Sequence, residues 1–169
     1  ELIAVASRTQ EKVDKYAEKH AIPRAYGSYV ELLADSDVDA VYVSLPNSLH
    51  AEWIVKAARA GKHVLCEKPL VISLEEFDAV EAAARDCKVV VFEAFANLHH
   101  PSIRQALEMV ESGVLGALQF INGWGYFTLP PEDLDNIRLK PELGGGSLWD
   151  VGVYPVSLAI MFAGVAAPV

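Results

Sequence analysis

Asp150 and Tyr154, near the end of the chain, present a carboxylate and a phenol at a spacing of four residues. Residues four apart lie on the same face of a helix, so we expect both side chains to project in one direction. Lys68 lies in a Glu-Lys-Pro triplet after an apolar run, and would add an ammonium if the fold brings it close. These three groups together could transfer and stabilise a proton. The sequence therefore predicts a proton-transfer site.

The charge and hydropathy of the chain argue against two classes of partner. The 169 residues carry a formal net charge of −9 at pH 7, whereas nucleic-acid binding requires a basic patch. The longest weakly polar stretch, residues 151–169, contains Pro155 and Ser157 and lacks flanking basic residues. This pattern favours a buried helix over a membrane span. We expect neither a nucleic-acid nor a membrane partner.

The cysteines and histidines indicate no metal or disulfide framework. Cys66 and Cys87 are widely spaced and do not form a Cys-x-x-Cys motif. This favours buried thiols in a reducing compartment and predicts a cytoplasmic protein. His99 and His100 are adjacent and point to opposite sides of most backbones. With no third ligand at a suitable spacing, we expect no metal site.

Four apolar runs in the first half of the chain predict strands. They cover residues 2–6, 40–45, 63–66 and 89–92. Each is continuous, as expected for parallel strands that are covered on both faces. Helical patterns separate the runs, with candidate starts at Thr9, Ser28, Ser48 and Ser73. This alternation predicts an α/β doubly wound parallel sheet.

The pattern changes after Ala94. Ser102 is a candidate cap for a helix that ends at Gly113. The next apolar side chains alternate with smaller or polar ones and predict a strand with one buried face; they are Leu118, Phe120, Trp124 and Tyr126. We place a domain boundary near Glu93, which divides the chain into residues 1–93 and 94–169.

Three sequence blocks carry a family resemblance. They are Leu45-Pro46-Asn47-Ser48-Leu49-His50, Glu67-Lys68-Pro69 and the glycine-rich segment from Gly144 to Tyr154. In this order and spacing they resemble the Gfo/Idh/MocA family of NAD(P)-dependent oxidoreductases, over essentially the whole chain. The resemblance implies a truncated Rossmann-type doubly wound parallel sheet. Part of an α+β domain with an open, largely antiparallel sheet should follow it.

One element of that family is missing from the sequence. The first Rossmann strand and its Gly-x-Gly-x-x-Gly turn should precede Glu1, so we expect an internal segment of a longer protein that starts at the second strand. Gly123 and Gly125 form a Gly-x-Gly pattern inside the later strand pattern, with no helix after it. We therefore expect the segment alone to bind a dinucleotide weakly.

The end of the first apolar run bears on cofactor choice. Ser7, Arg8 and Thr9 offer hydroxyl groups and a guanidinium where NAD-selective enzymes usually carry an acidic residue. Arg8 can pair bidentately with a 2'-phosphate and stack on adenine. The sequence predicts NADP, with NAD as the alternative. An exposed helix-start arginine without a ligand is the competing interpretation.

The resemblance also implies residues along the cofactor cleft. Leu45, Pro46 and Asn47 would line it, and His50 would lie in the first turn of the next helix, either near the cofactor or without a ligand. Glu67, Lys68 and Pro69 would follow a strand end, with Lys68 near the nicotinamide ribose and the substrate. In this family a cis peptide can precede the proline.

The resemblance further implies roles in hydride transfer. Many relatives have His where this chain has Tyr154, and Tyr resembles the branch with dihydrodiol dehydrogenases, glucose-fructose oxidoreductase and aldose dehydrogenases. An ordinary phenol has a pKa of about 10, and a nearby ammonium favours the phenolate. We therefore expect Tyr154 to be the general acid/base, Lys68 its electrostatic partner, and Asp150 a group that orients a substrate hydroxyl. A buried aromatic role for Tyr154 is the alternative.

Two further residues are candidates for substrate binding. Asn97 could line the substrate side, and Arg138 matches an arginine that relatives often carry before the glycine block. A solvated loop arginine is equally consistent with the sequence of that segment.

The sequence thus predicts an oxidoreductase that transfers a hydride between NADP and a carbinol of a sugar, polyol or vicinal diol. A non-catalytic dinucleotide-binding regulator is one alternative, and an NAD-assisted glycoside hydrolase of the same family is another. The family resemblance also implies a homo-oligomer that associates through the C-terminal sheet.

Overall fold

Short parallel strands alternate with helices through the first 94 residues of the chain. The structure, a computed structural model, describes residues 1–164. The strands are β1 (Ala4–Ala6), β2 (Arg24–Tyr26), β3 (Ala40–Val43), β4 (His63–Glu67) and β5 (Val91–Ala94). The helices are α1 (Gln10–His20), α2 (Tyr29–Ala34), α3 (His50–Arg59), α4 (Leu74–Cys87), α5 (Pro101–Glu111) and α6 (Val153–Phe162).

The strands form two parallel sheets. β1 pairs with β2, with Ala4 opposite Arg24, and β3, β4 and β5 pair in that order. The predicted α/β class with parallel strands and crossover helices is therefore confirmed. β2 was not predicted, because its three residues are flanked by Pro23 and Gly27 and contain a charged side chain, so they lack an apolar run.

A cavity of about 990 Å³ separates the two sheets. It is lined by side chains of β1 and β3 and by apolar residues of the helices, including Val13, Leu33 and Trp53. Within residues 1–164, β1 pairs only with β2, and β3 pairs only with β4. Each of these two strands therefore has one edge without a backbone partner.

The three-stranded sheet is covered on one face. α3 and α4 pack against that face, and the core contains Val43, Ile54, Val64, Cys66 and Val80. On the opposite face Tyr42, Leu65 and Phe92 are exposed. The prediction that both faces are covered is therefore wrong for the described residues. A continuous apolar run shows that the side chains of a strand are hydrophobic, but it does not show which helices cover them.

Serine caps start two of the helices as predicted. Ser28 Oγ accepts the Val30 N–H at 3.2 Å, and Ser73 Oγ accepts the Glu76 N–H at 3.2 Å. The predicted cap of α5 is wrong. That helix begins at Pro101, whose fixed φ suits a first helical position, and its cap is His100 rather than Ser102.

The segment that follows α5 differs from its prediction. Residues 117–129 form no strand in the described structure, and the predicted buried face is exposed at Phe120, Trp124 and Tyr126. A strand requires a backbone partner, and none of the described residues pairs with this segment. Its glycines instead approach the last helical region, where a Cβ on Gly125 would lie 2.8 Å from Val151 Cγ1.

Leu148–Gly152 form a π-helical turn that continues into α6. Residues 165–169, the end of the predicted second domain, lie outside the described residues. β5 extends one residue past the predicted boundary at Glu93, and the division into two domains stays a prediction. In the part of the chain that the structure describes, no helix is both long and apolar enough to cross a membrane.

A charged network fixes β2 to the segment after α2. Asp35 accepts from Arg24 Nη1 at 2.7 Å and from the Tyr26 hydroxyl at 2.8 Å, and Asp37 accepts from Arg24 Nη2 at 2.6 Å. The hydrogen bonds from Arg24, from the Asp37 backbone N–H and from Tyr26 lower the pKa of Asp35 to about 2. The ionised carboxylate is therefore the form that stabilises the fold.

The lowered pKa of Asp35 predicts a specific acid sensitivity. Its stabilisation is fully present above the ordinary value of 3.8 and is lost as the pH falls toward about 2. Asp35→Asn should lower the free energy of unfolding at neutral pH and should reduce the further loss between about pH 4 and pH 2. Denaturant titrations across this range measure both effects. Asp78→Asn, an exposed change in α4, is the control, and equal pH dependence in both variants would refute the assignment.

Candidate active site

A salt bridge between Lys68 and Asp150 connects the end of β4 to the π-helical turn before α6. Lys68 Nζ donates to Asp150 Oδ1 at 3.0 Å and also to the Asp150 backbone carbonyl. The two side chains are only 14% and 16% exposed. β4 ends at Glu67 and places Lys68 at the carboxyl edge of the sheet, while the π-helical turn presents Asp150 to it. A partly buried ammonium and carboxylate thus compensate each other's charge.

Tyr154 completes this group of three. Its ring lies 5.2 Å from the Phe95 ring, centroid to centroid, and Lys68 Nζ lies 5.1 Å from the Tyr154 ring centroid. The ammonium therefore faces the ring while its hydrogen bonds go to Asp150. The structure brings together the three residues predicted to carry the proton chemistry. Their chemical roles stay predictions.

Arg138 contacts the same carboxylate. Its Nε–H donates to Asp150 Oδ2 at 2.9 Å, so each carboxylate oxygen accepts from a different cation. Sequence reasoning expected Arg138 to contact a substrate, and Asp150 to orient a substrate hydroxyl. The contact between these two residues was not predicted.

Asn47 connects the loop after β3 to the glycine block. Its Nδ2–H donates to the Gly144 carbonyl at 2.8 Å. Gly144 has a φ of +74°, and a Cβ there would lie 2.7 Å from Asn47 Cβ. Both the backbone conformation and the close approach therefore require glycine. The Asn47 amide group, predicted to line a cofactor cleft, is engaged at this contact.

His50 is fully buried at the start of α3. Its Nδ1 lies 2.7 Å from the Pro69 carbonyl oxygen and its Nε2 lies 2.8 Å from the Leu45 carbonyl oxygen. The ring thus joins the loops that follow β3 and β4 and offers no free nitrogen to a ligand. We propose an indirect role, in which His50 holds the loop residues that border the cofactor cleft.

The remaining residues of the two loops are also placed by local contacts. The Pro46 carbonyl accepts the Leu49 N–H at 2.8 Å, and Glu67 accepts from the Lys68 N–H at 3.3 Å and from the Tyr42 hydroxyl. The Glu67 carboxylate raises the pKa of Tyr42 to about 12. The Lys68–Pro69 peptide is cis, which confirms that expectation.

Ser7, Arg8 and Thr9 follow β1 at its carboxyl end. The Ser7 N–H donates to the Tyr26 carbonyl at 3.0 Å, and Thr9 is the N-cap residue of α1. The side chains of Arg8 and Thr9 are exposed. These three residues belong to the other sheet from Lys68, so the structure describes two separate groups of predicted cofactor contacts.

Among the described residues, no hydrogen bond joins Asn97 or the histidine pair to Lys68, Asp150 or Tyr154. Asn97 is exposed in a short helical turn, and His99 stacks on Phe92 with ring centroids 5.6 Å apart. Among residues 1–164 no three metal-ligating side chains converge.

Cys66 lies in β4, between β3 and β5, and is fully buried. Burial raises the pKa of its thiol to about 12, so Cys66 is not a thiolate nucleophile at neutral pH.

Phe95 is a site residue that sequence reasoning did not select. It is 4% exposed, directly follows β5 and packs on Tyr154. The sequence feature that could have identified Phe95 is a large apolar residue immediately after a predicted strand. Such positions lie at the edge where parallel sheets bind ligands.

Comparison with known proteins identifies the family. Residues 1–95 match the oxidoreductase family with an NAD-binding Rossmann fold, and residues 103–169 match the GFO/IDH/MocA C-terminal domain. The chain belongs to the Gfo/Idh/MocA oxidoreductase family. The resemblance seen in the three sequence blocks is thereby confirmed.

Several Gfo/Idh/MocA proteins of named activity are similar to this chain. D-xylose 1-dehydrogenase (NADP(+)) 2 of Haloferax volcanii is 47% identical over 164 residues, which cover 97% of this chain and 50% of that protein. Trans-1,2-dihydrobenzene-1,2-diol dehydrogenase of Xenopus laevis is 35% identical, over 95% of this chain and 48% of that protein. The chain thus spans about half the length of the curated relatives it matches.

A solved Gfo/Idh/MocA structure shares the same fold. The 3-ketoreductase from Actinomadura kijaniata, in complex with NADP and TDP-benzene, superposes with a TM-score of 0.82 at 41% identity. The match covers 97% of this chain and 50% of that one. The Rossmann-type fold expected from the sequence is therefore confirmed.

Proposed function

We propose that this chain is part of an oxidoreductase that transfers a hydride between NADP and a carbinol of a sugar, polyol or vicinal diol. The observation that carries the proposal is the convergence of Lys68, Asp150 and Tyr154. Similar proteins are a D-xylose dehydrogenase, a 3-ketoreductase and a dihydrodiol dehydrogenase, and these names describe oxidation or reduction at hydroxyl or keto groups.

The residues at the carboxyl ends of the strands fit a dinucleotide phosphate. Arg8 presents an exposed guanidinium between the hydroxyl groups of Ser7 and Thr9, which is the donor set a 2'-phosphate requires. Lys68 and Pro46 would hold the nicotinamide end. When bound, the dinucleotide supplies the redox chemistry by accepting or donating a hydride.

The remaining chemistry is a proton transfer by the chain's own residues. During oxidation the Tyr154 phenolate takes the proton of the substrate hydroxyl and becomes the neutral phenol, and during reduction the phenol returns that proton to the substrate oxygen. The Lys68 ammonium, 5.1 Å from the ring centroid, stabilises the negative charge that develops on the phenol oxygen. Asp150 holds that ammonium in place, and Phe95 keeps the Tyr154 ring on the site side of α6.

Removal of the Tyr154 hydroxyl tests the proposed reaction. The complete protein is offered NADP⁺ or NAD⁺ with aldoses, polyols and trans-diols, and nicotinamide absorbance is recorded. We expect reduction of NADP⁺, and Tyr154→Phe should lower turnover by roughly 10²-fold because the proton acceptor is absent.

Tyr16→Phe, in the exposed part of α1, is the matched control and should leave turnover unchanged. An unchanged rate in Tyr154→Phe would refute the acid/base role. Tight cofactor binding without net reduction would favour a regulator or an NAD-assisted hydrolase instead.

Arg8 provides a separate test of cofactor choice. Loss of a charge-assisted contact to phosphate should weaken NADPH binding by about tenfold or more in Arg8→Ser, with little change for NADH. Arg59→Ser, another exposed arginine, is the control. Fluorescence titration of the complete protein with both dinucleotides measures the change. Equal affinity of the unmodified protein for NADH and NADPH would contradict the assignment.

We also propose that the protein is a homo-oligomer. The exposed aromatic side chains of Phe120, Trp124 and Tyr126 occupy alternating positions of one segment, and aromatic residues are enriched at interface cores. The proposed compartment is the cytoplasm, because both cysteines, Cys66 and Cys87, are free thiols.

Charge at the centre of this aromatic segment should weaken association. We expect Trp124→Glu to shift the complete protein toward monomer in sedimentation velocity, because an unpaired carboxylate would be buried in the interface. Leu134→Glu, an exposed apolar position outside the segment, is the control. A monomeric unmodified protein would exclude the proposal.

A further inference from the structure

Arg138 and Lys68 share one carboxylate from opposite sides. Arg138 Nε–H donates to Asp150 Oδ2 at 2.9 Å and Lys68 Nζ donates to Oδ1 at 3.0 Å. The Asp150 side chain is 16% exposed, whereas the Arg138 side chain is 47% exposed. The arginine thus reaches from the surface to the partly buried carboxylate and covers its outer oxygen.

The backbone around Arg138 is fixed independently of Asp150. The Arg138 N–H donates to Asn136 Oδ1 at 3.0 Å, and its carbonyl accepts the Gly146 N–H at 2.9 Å. The guanidinium carbon lies 5.6 Å from the centre of the Phe127 ring. The two hydrogen bonds hold the Arg138 backbone, and the ring contact directs its side chain along the loop, so the arginine can support a neighbouring group.

The loop that carries Arg138 packs closely around Gly145. A Cβ at that position would lie 2.7 Å from the carbonyl oxygens of Ile137, Arg138 and Lys140. Any side chain would therefore displace the loop that carries Arg138. The middle glycine of the triplet is explained by this packing, without an approach to a ligand.

A carboxylate held through one oxygen can rotate about its side-chain bonds, and the Lys68 ammonium would then keep only its hydrogen bond to the Asp150 backbone carbonyl. Contact with Arg138 at Oδ2 removes that freedom and directs Oδ1 toward Lys68. We propose that Arg138 is a positioning residue that fixes Asp150, and through it the Lys68 ammonium beside Tyr154, instead of binding substrate as the sequence predicts. This inference rests on the proposed oxidoreductase function.

A double-mutant cycle on turnover separates these two roles. In the complete enzyme we expect Arg138→Gln to lower kcat about tenfold with KM changed less than twofold, because substrate contacts remain. In an Asp150→Asn background the same change should alter kcat by less than twofold, since residues that act through one another are not additive. Arg138→Lys should recover part of the loss, because its ammonium can still pair with Asp150.

Lys140→Gln is the matched control, since Lys140 lies in the same loop and pairs with Asp135. It should leave both kinetic constants unchanged. A rise in KM that is equal in both backgrounds would show direct substrate binding by Arg138 and overturn the proposal. Fully additive losses in kcat would overturn it as well.

A second readout does not depend on turnover. The Lys68 ammonium should give an exchange-protected ¹H–¹⁵N NMR signal, assigned by its absence in Lys68→Arg, because two oxygens of Asp150 accept its protons. We expect Arg138→Gln to remove this signal and Lys140→Gln to retain it. Retention in Arg138→Gln refutes the positioning role, even if the protein oxidises none of the offered substrates. Loss of the signal in a protein without turnover supports positioning and refutes only the proposed function.

Discussion

The carboxylate of Asp150 is the group on which the candidate site depends. It is the anion between two cations that come from different parts of the chain, one after β4 and one from the loop before the glycine block. A partly buried lysine is costly without a compensating charge, and removal of one partner leaves the other unpaired. The same contact therefore neutralises Lys68, places it beside an aromatic ring and joins the parallel-sheet region to the C-terminal helices.

Two further contacts support this ionic one. Asn47 links the loop after β3 to Gly144, and His50 links that loop to the one after β4. Because the His50 ring is fully buried and contacts both loops, it connects the two strand ends. The site is thus assembled from two connected strand ends on one side and a tightly packed glycine loop on the other.

The sequence predicted which residues form the site better than it predicted the contacts between them. Asp150 and Tyr154 could be placed on one helical face by spacing, and Lys68 at a strand end by its apolar run. The link from Arg138 to Asp150 depends on the path of an irregular loop, which no periodic pattern encodes. β2 was missed because it is short and contains a charged residue. The aromatic segment was wrongly predicted as a strand because strand formation depends on a partner strand, which sequence periodicity does not report. Local rules thus described the elements, whereas long-range contacts required the folded chain.

Among residues 1–164, four strand edges lack a backbone partner, and two of them, those of β1 and β3, border the cavity between the sheets. The outer edge of a sheet normally offers its N–H and carbonyl groups to any passing chain, which makes it a starting point for aggregation. Here the free edges of β1 and β3 border a cavity that Val13, Leu33 and Trp53 help to wall. The backbone N–H and carbonyl groups along these two edges are therefore available for pairing with an extended strand in the gap between the sheets.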